Sequence, residues 1–240
     1  MKVGALSALK GIVVSRGVKP RRVPFGLYRD LILELDLIDR TQLFLGLWER
    51  ETYAFVRMAA QRSEWVIDVG SGRGELCLFF LKQSSAPTVI AIEPNDSERQ
   101  LMWRNLELND CEGSASLVWV KKFVGCAGDP NFIRLDQMPV DLARRGFIKI
   151  DVDGAEMEVL QSGTDFLLNG VMDVLVETHS LLLEQACSAF LTEMGFRCQI
   201  IKNAWWRVII PENRPIAHNR WLWATKPKTS PNVIAQRKFP

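Results

Sequence analysis

The chain has 240 residues, of which 48% are hydrophobic and 24% charged, a composition that excludes a disordered or fibrous protein and suits one well-buried domain with a modest extension. The formal charge is only +2, but residues 1–22 carry six basic side chains and no acid and residues 226–240 carry four, leaving −8 on the body between them. Lys10 and Arg16 interrupt the apolar start and no run approaches membrane-spanning length, while five widely spaced cysteines without a C-x-x-C pair point away from disulfides or zinc and towards a reducing, cytoplasmic home.

The basic start reads first as a solvated arm, and second as a surface for phosphate or anionic lipid. Between residues 27 and 60, the spacing of Leu31, Leu33, Leu35, Leu37, Leu43, Leu47 and Phe55 among charges predicts amphipathic helices broken near residues 39–41. Together these make residues 1–60 an arm and a helical cap. Strands and helices then alternate: strand 65–69, helix 74–83, strand 89–92, helix 96–108, strand 117–120, a short helix 140–144, and strands 147–150 and 174–176. A helix over 182–194 is stopped by Gly195, and strands at 196–201, 207–209 and 221–225 close the unit in antiparallel fashion. Residues 61–226 are thus expected to form an α/β domain whose mostly parallel sheet is covered on both faces, with ligands at the carboxyl ends of the strands. Residues 227–240 are expected to be a basic mobile tail.

The stretch V-I-D-V-G-S-G-R-G-E at residues 66–75 sets Gly70, Ser71, Gly72 and Gly74 between a β-branched strand and a helix start. Glycines there let the backbone turn sharply and approach a nucleoside. Glu93 ends the next strand roughly twenty residues on, where an acid accepts hydrogen bonds from both ribose hydroxyls. Dinucleotide enzymes share both features. Asp68 discriminates, because a carboxylate at the end of the first strand faces an amino group well and repels a pyrophosphate; its other use is to cap the loop amides.

Three further segments narrow the reading. I-D-V-G-S-G-R-G-E followed by A-I-E-P-N at residues 91–95 resembles class I methyltransferases. R-L-D-Q at 134–137, F-I-K-I-D-V-D-G-A-E at 147–156 and V-L-V-E-T-H at 174–179 are similar to the FkbM family of methyltransferases, and the likeness spans residues 46–202. The resemblance implies a Rossmann-like seven-stranded sheet, S-adenosylmethionine as methyl donor, and O-methylation of a sugar or other small metabolite. It implies Asp68, Gly70, Ser71, Gly72, Gly74, Glu93, Pro94 and Asp151 as cofactor contacts. G-L-W-E at 46–49 is similar to the family's G-x-aromatic-E element, which implies Trp48 and Glu49 over the cofactor; a helix-end packing contact is the alternative. The chain departs from the family in reading S-G-R-G at 71–74 where an A-N-x-G type is common, and in having Asp153 where Glu is frequent. These departures touch the acceptor more than the cofactor.

Methyl transfer to oxygen is an in-line displacement in which the acceptor must lose a proton. Lys149, Asp151, Asp153, Glu156, Glu177 and His179 converge at the ends of the fourth and fifth strands, and Asp151 and Asp153 share a face if the strand continues. In one reading Asp151 or Asp153 with Glu177 holds a divalent cation such as Mg²⁺ through hard oxygen ligands. In the other His179 is the general base. The structural alternatives are a His179 bonded to a loop carbonyl and an Asp151 that caps the helix opening at Gly154. Trp205, Trp206 and Arg207 suit a hairpin core, a sugar wall or a stacking surface. A small-molecule or glycan acceptor leads. Nucleic acid is the lesser partner, as in a ribose 2′-O-methyltransferase using the basic termini with Lys149, Asp151 and Glu177 near the hydroxyl. A non-catalytic cofactor-binding module is the third reading. Spacing carries no signal for oligomeric state.

Overall fold

The computed structural model describes residues 17–83, 87–204 and 218–227. Most of the basic arm, the tail, Trp205, Trp206, Arg207 and the strand expected at 207–209 lie outside the described residues. β1 (Lys19–Arg22) and β2 (Ile32–Leu35) form an antiparallel hairpin in which Lys19 faces Leu35 and Arg22 faces Ile32. This corrects the all-helical expectation. Leu31, Leu33 and Leu35 are buried while Ile32 and Glu34 are half-buried, the period of two that belongs to a strand. α1 (Thr41–Phe44), a 3₁₀ turn at Arg50–Thr52 and α2 (Tyr53–Ala60) supply the helical remainder.

The alternating region follows in order: β3 (Trp65–Val69), α3 (Glu75–Leu81), β4 (Thr88–Ile92), α4 (Asp96–Glu107) and β5 (Leu117–Val120). A two-residue parallel ladder, β6 (Phe123–Val124) with β7 (Phe132–Ile133), precedes the next main strand. β8 (Gly146–Ile150), α5 (Glu156–Gln161), α6 (Thr164–Asn169), β9 (Met172–Thr178), α7 (Leu181–Glu193), β10 (Arg197–Ile201) and β11 (Arg220–Thr225) complete the elements. The helix expected at 140–144 is a turn instead, closed by the Arg144 N–H on the Asp141 carbonyl at 3.1 Å, with the Trp65 indole N–H donating to the carbonyls of Asp141 and Arg144 at 3.0 and 3.2 Å.

The seven-stranded sheet runs β10-β11-β9-β8-β3-β4-β5, parallel except for β11, which is antiparallel to both β9 and β10. β3, β8 and β9 are buried at every position, the near-continuous apolar pattern of strands covered on both faces. Val66, Val89, Phe147, Leu175 and Trp223 face a core shared with α3, α4 and the N-terminal segment. Ile67, Ile90, Ile148, Val174 and Leu222 face α5, α6 and α7. Chain direction across the sheet reverses between β3 and β8, and the crevice above such a switch point is where ligands enter open α/β sheets.

At the opposite end of the sheet, Asp173 at the start of β9 is fully buried and accepts from Arg62 at 2.7 and 2.9 Å, Arg145 at 3.3 Å and Thr225 at 2.6 Å. Among the described residues no helix is long and apolar enough to cross a membrane. All five cysteines are free. Cys77, Cys111 and Cys187 are buried, whereas Cys198 is half-buried and Cys126 is exposed.

Candidate functional site

β3 passes into α3 through Gly70, Ser71, Gly72, Arg73 and Gly74. At Gly70, with φ 77°, a Cβ would stand 1.9 Å from the Asp151 carbonyl oxygen, so only glycine lets the β3 and β8 loops lie against each other. At Gly72, with φ 50°, a Cβ would meet nothing within 4 Å, so the backbone there borders open space. Gly74 is the N-cap of α3 and lies against Met102, and the buried Ser71 hydroxyl lies 3.8 Å from the Met102 sulfur. Glu93, at the end of β4, braces the loop: its Oε2 accepts the Gly72 N–H at 3.0 Å and its Oε1 the Asn95 N–H at 2.8 Å. Each carboxylate oxygen retains a second acceptor direction. Pro94, next in line, offers its carbonyl to Arg99 at 2.6 Å.

A cavity of about 270 Å³ opens beside this loop, with Asp68, Gly70, Gly72, Glu75, Lys149 and Asp151 in its wall. Tyr28, Arg40, Trp48 and Glu49 form a second wall contributed by the N-terminal segment. The strand register sets Asp68 beside Lys149, and the pleat puts both on the sheet face that meets that segment. Lys149 Nζ lies 3.1 Å from Asp151 Oδ2 and 4.0 Å from Asp68 Oδ1, with the Trp221 ring centroid at 5.8 Å. Burial pulls the Lys149 pKa down, but the carboxylates of Asp151, Asp68, Glu49 and Glu177 outweigh it and raise the value above that of an ordinary lysine. Lys149 is therefore a charged donor and not a base.

Asp68 is 1% exposed. Burial pushes its pKa up to about 6, against the opposing pull of Lys149 and of the Cys77 thiol, which donates to Oδ2 at 3.3 Å. Asp68 Oδ1 accepts no hydrogen bond, and neither does Glu75 Oε1.

Asp151 faces two ways. Its Oδ2 meets Lys149, and its Oδ1 lies 3.9 Å from His179 Nε2. The ring's other nitrogen, Nδ1, is 2.5 Å from Glu156 Oε1, which also accepts the Gly154 N–H at 3.0 Å. The partner of His179 is therefore a carboxylate and not a loop carbonyl. Burial lowers the His179 pKa, but the Glu156 hydrogen bond and the charges of Glu156, Asp151 and Asp153 raise it overall, which favours the imidazolium over a free base. β8 ends at Ile150 and the chain turns at Asp153, with φ 46°, so no continued strand aligns Asp151 with Asp153. The loop nevertheless brings Asp153 Oδ1 to 3.2 Å from His179 Nε2, with the Asp153 side chain 80% exposed. Asp151 does not cap α5, whose N-cap is Ala155 without a side-chain cap bond. Asp151, Glu177 and His179 each offer a ligand atom within 4.8 Å of the others. Of these three only Asp151 lines the cavity.

The sequence reasoning missed Tyr28, Arg40 and Glu75 as wall residues. Burial and the charge of Glu49 raise the Tyr28 pKa, so its phenol stays neutral. Arg40 stacks over the Trp48 ring at 5.3 Å. Tyr28 and Arg40 belong to no local motif; only the folding of their segment over the sheet brings them to the cavity.

No family model matches the chain, and no curated protein matches its sequence. Solved structures do match in fold. The FkbM methyltransferase of Methylobacillus flagellatus is 16% identical with a TM-score of 0.52, covering 68% of this chain and 43% of that one, so the chain spans less than half of that protein. A SAM-dependent O-methyltransferase of Thermotoga maritima is 17% identical with a TM-score of 0.54, covering 83% and 74% of the two chains. A precorrin-6Y C5,15-methyltransferase of Geobacter metallireducens is 16% identical with a TM-score of 0.50, covering 73% and 87%. Together with the strand order, these similarities show that the chain has the Rossmann-like fold of class I methyltransferases.

Proposed function

We propose that the chain is an S-adenosylmethionine-dependent methyltransferase acting on a hydroxyl of a sugar or other small metabolite. The observation that carries the reading is Asp68 Oδ1, a buried carboxylate oxygen without a hydrogen-bond donor, set 4.0 Å from Lys149 Nζ in the wall of the cavity. Leaving such an oxygen unsatisfied is costly. Asp68 and Lys149 together match the ammonium and carboxylate of an amino acid, whereas a pyrophosphate would meet Asp68 and Glu75. S-adenosylmethionine, when bound, supplies an electrophilic methyl group. Glu93 would take ribose hydroxyls with the acceptor capacity it retains, and the open side of Gly72 would admit the nucleoside. Tyr28, Trp48 and Glu49 would exclude water from above. Asp151, at the end of β8, would face the acceptor and orient its hydroxyl.

Calorimetry with S-adenosylmethionine and with NAD tests the cofactor; tight binding of NAD alone would sink the proposal. Transfer of a labelled methyl into cell extract, fractionated into metabolites, glycans, protein and RNA, tests the acceptor. Label in the RNA fraction, with salt-dependent RNA binding lost on removing both basic termini, would replace the small-molecule reading.

A further inference from the structure

We propose that Asp151, Glu177 and His179 bind a divalent transition-metal ion beside the cofactor cavity, with Glu156 orienting His179. Their ligand atoms lie within 4.8 Å of one another at the carboxyl ends of β8 and β9. The His179 side chain is only 4% exposed, yet its Nε2 forms no hydrogen bond and faces two carboxylate oxygens, Asp153 Oδ1 at 3.2 Å and Asp151 Oδ1 at 3.9 Å. Its Nδ1 lies 2.5 Å from Glu156 Oε1, which is in turn fixed by the Gly154 N–H. Metal-ligating histidines commonly donate their second N–H to a carboxylate, which sets the tautomer and leaves the other nitrogen to coordinate.

Asp151 is built to serve both sides, with Oδ2 committed to Lys149 and Oδ1 towards His179. One imidazole with two carboxylates suits Mn²⁺, Fe²⁺ or Zn²⁺ better than Mg²⁺, which favours oxygen ligands throughout. Three protein ligands leave coordination positions open, and a hydroxyl held in one is made more acidic. Only that last role rests on the proposed methyltransferase reading; the metal site itself does not.

The test is direct binding to metal-stripped full-length protein, followed by calorimetry with Mn²⁺ and Mg²⁺. One equivalent of Mn²⁺ should bind at least tenfold more tightly than Mg²⁺. Glu177→Gln and His179→Ala should lose that affinity, and Glu156→Gln should weaken it by about 10- to 100-fold. A readout that needs no variant uses the fact that the chain has only two histidines, His179 and His218. Zn²⁺ should shift the NMR ring signals of His179 and leave those of His218 in place. No binding, binding untouched by the three substitutions, preference for Mg²⁺, or His179 signals indifferent to Zn²⁺ would each overturn the site. Calorimetry with S-adenosylmethionine on the metal-stripped protein separates the two proposals, since its failure would sink the transferase reading and leave metal binding standing.

Discussion

Replacing Asp68 by asparagine should move stability and cofactor affinity in opposite directions. The Asp68 carboxyl is pushed up to about 6 from an ordinary 3.8, chiefly by burial at 1% exposure. At about 1.4 kcal/mol per pH unit, keeping it ionised above pH 6 withdraws roughly 3 kcal/mol from the fold. A carboxyl whose folded pKa is raised contributes stability that is present below pH 3.8 and lost as the pH climbs through 6. Asparagine keeps the shape and removes the charge, so the cofactor-free variant should melt higher than the parent at pH 8. For a chain of this size the gain is roughly 6 to 12 °C, less whatever is lost because Lys149 gives up one of the carboxylates that face it. Near pH 4 the gain should vanish. Losing a charge-assisted hydrogen bond worth about 1.5–3 kcal/mol should weaken S-adenosylmethionine roughly 10- to 100-fold at pH 8. Paired melting curves at pH 8 and pH 4, with calorimetry at pH 8, make the measurement. A variant no more stable than the parent at pH 8, or equally favoured at pH 4, refutes the burial argument; unchanged affinity refutes the ammonium site.

The two loop glycines should separate cleanly. Gly72→Ala places a Cβ in open space, so it should cost only the left-handed backbone strain of about 1–2 kcal/mol while markedly weakening S-adenosylmethionine; Gly70→Ala drives a Cβ onto the Asp151 carbonyl and should cost more stability than Gly72→Ala. Melting curves showing equal losses for both would contradict this assignment. Asp173→Ala should destabilise the fold by about 3–5 kcal/mol, as expected when one partner of a buried ion pair is removed, because Arg62 and Arg145 both lose their carboxylate. Cofactor affinity measured by calorimetry should hold, since Asp173 lies at the far end of the sheet; a drop in affinity without loss of stability would count against that separation.

β3 and the edge strand β5 were legible because their apolar runs end abruptly, at Gly70 and at Lys121, and both coincide with the expected 65–69 and 117–120. The segment before them was harder to read. Its leucines recur at intervals of two and then of four, and what makes β2 a strand is non-local. The Ile32 and Glu34 amides are accepted by the side chains of Asn109, just beyond α4, and Asn105, on α4, at 3.0 and 2.8 Å. No local pattern around Ile32 announces asparagines more than seventy residues away. The same divide runs through the site. Gly70 and Gly72 are required by the local turn and Asp68 stands two residues before it, so all three could be read from the sequence, whereas Tyr28 and Arg40 reach the cavity only because a hairpin and short helices fold across one face of the sheet.

Glu49, Asp68, Glu75 and Asp151 give the cavity an acidic lining, and under the proposed function that lining would bear on turnover as well as capture. Methyl transfer turns a positively charged sulfonium into a neutral thioether, so the spent donor leaves the reaction with one positive charge fewer than it brought. Carboxylates fixed in a partly buried wall distinguish those two states by Coulomb attraction alone, at several kcal/mol for a close pair at intermediate dielectric. On the proposed function, walls that draw a charged donor in would hold its product less firmly. Asp68, whose charge burial makes unfavourable in the empty fold, would then also favour release of the spent donor.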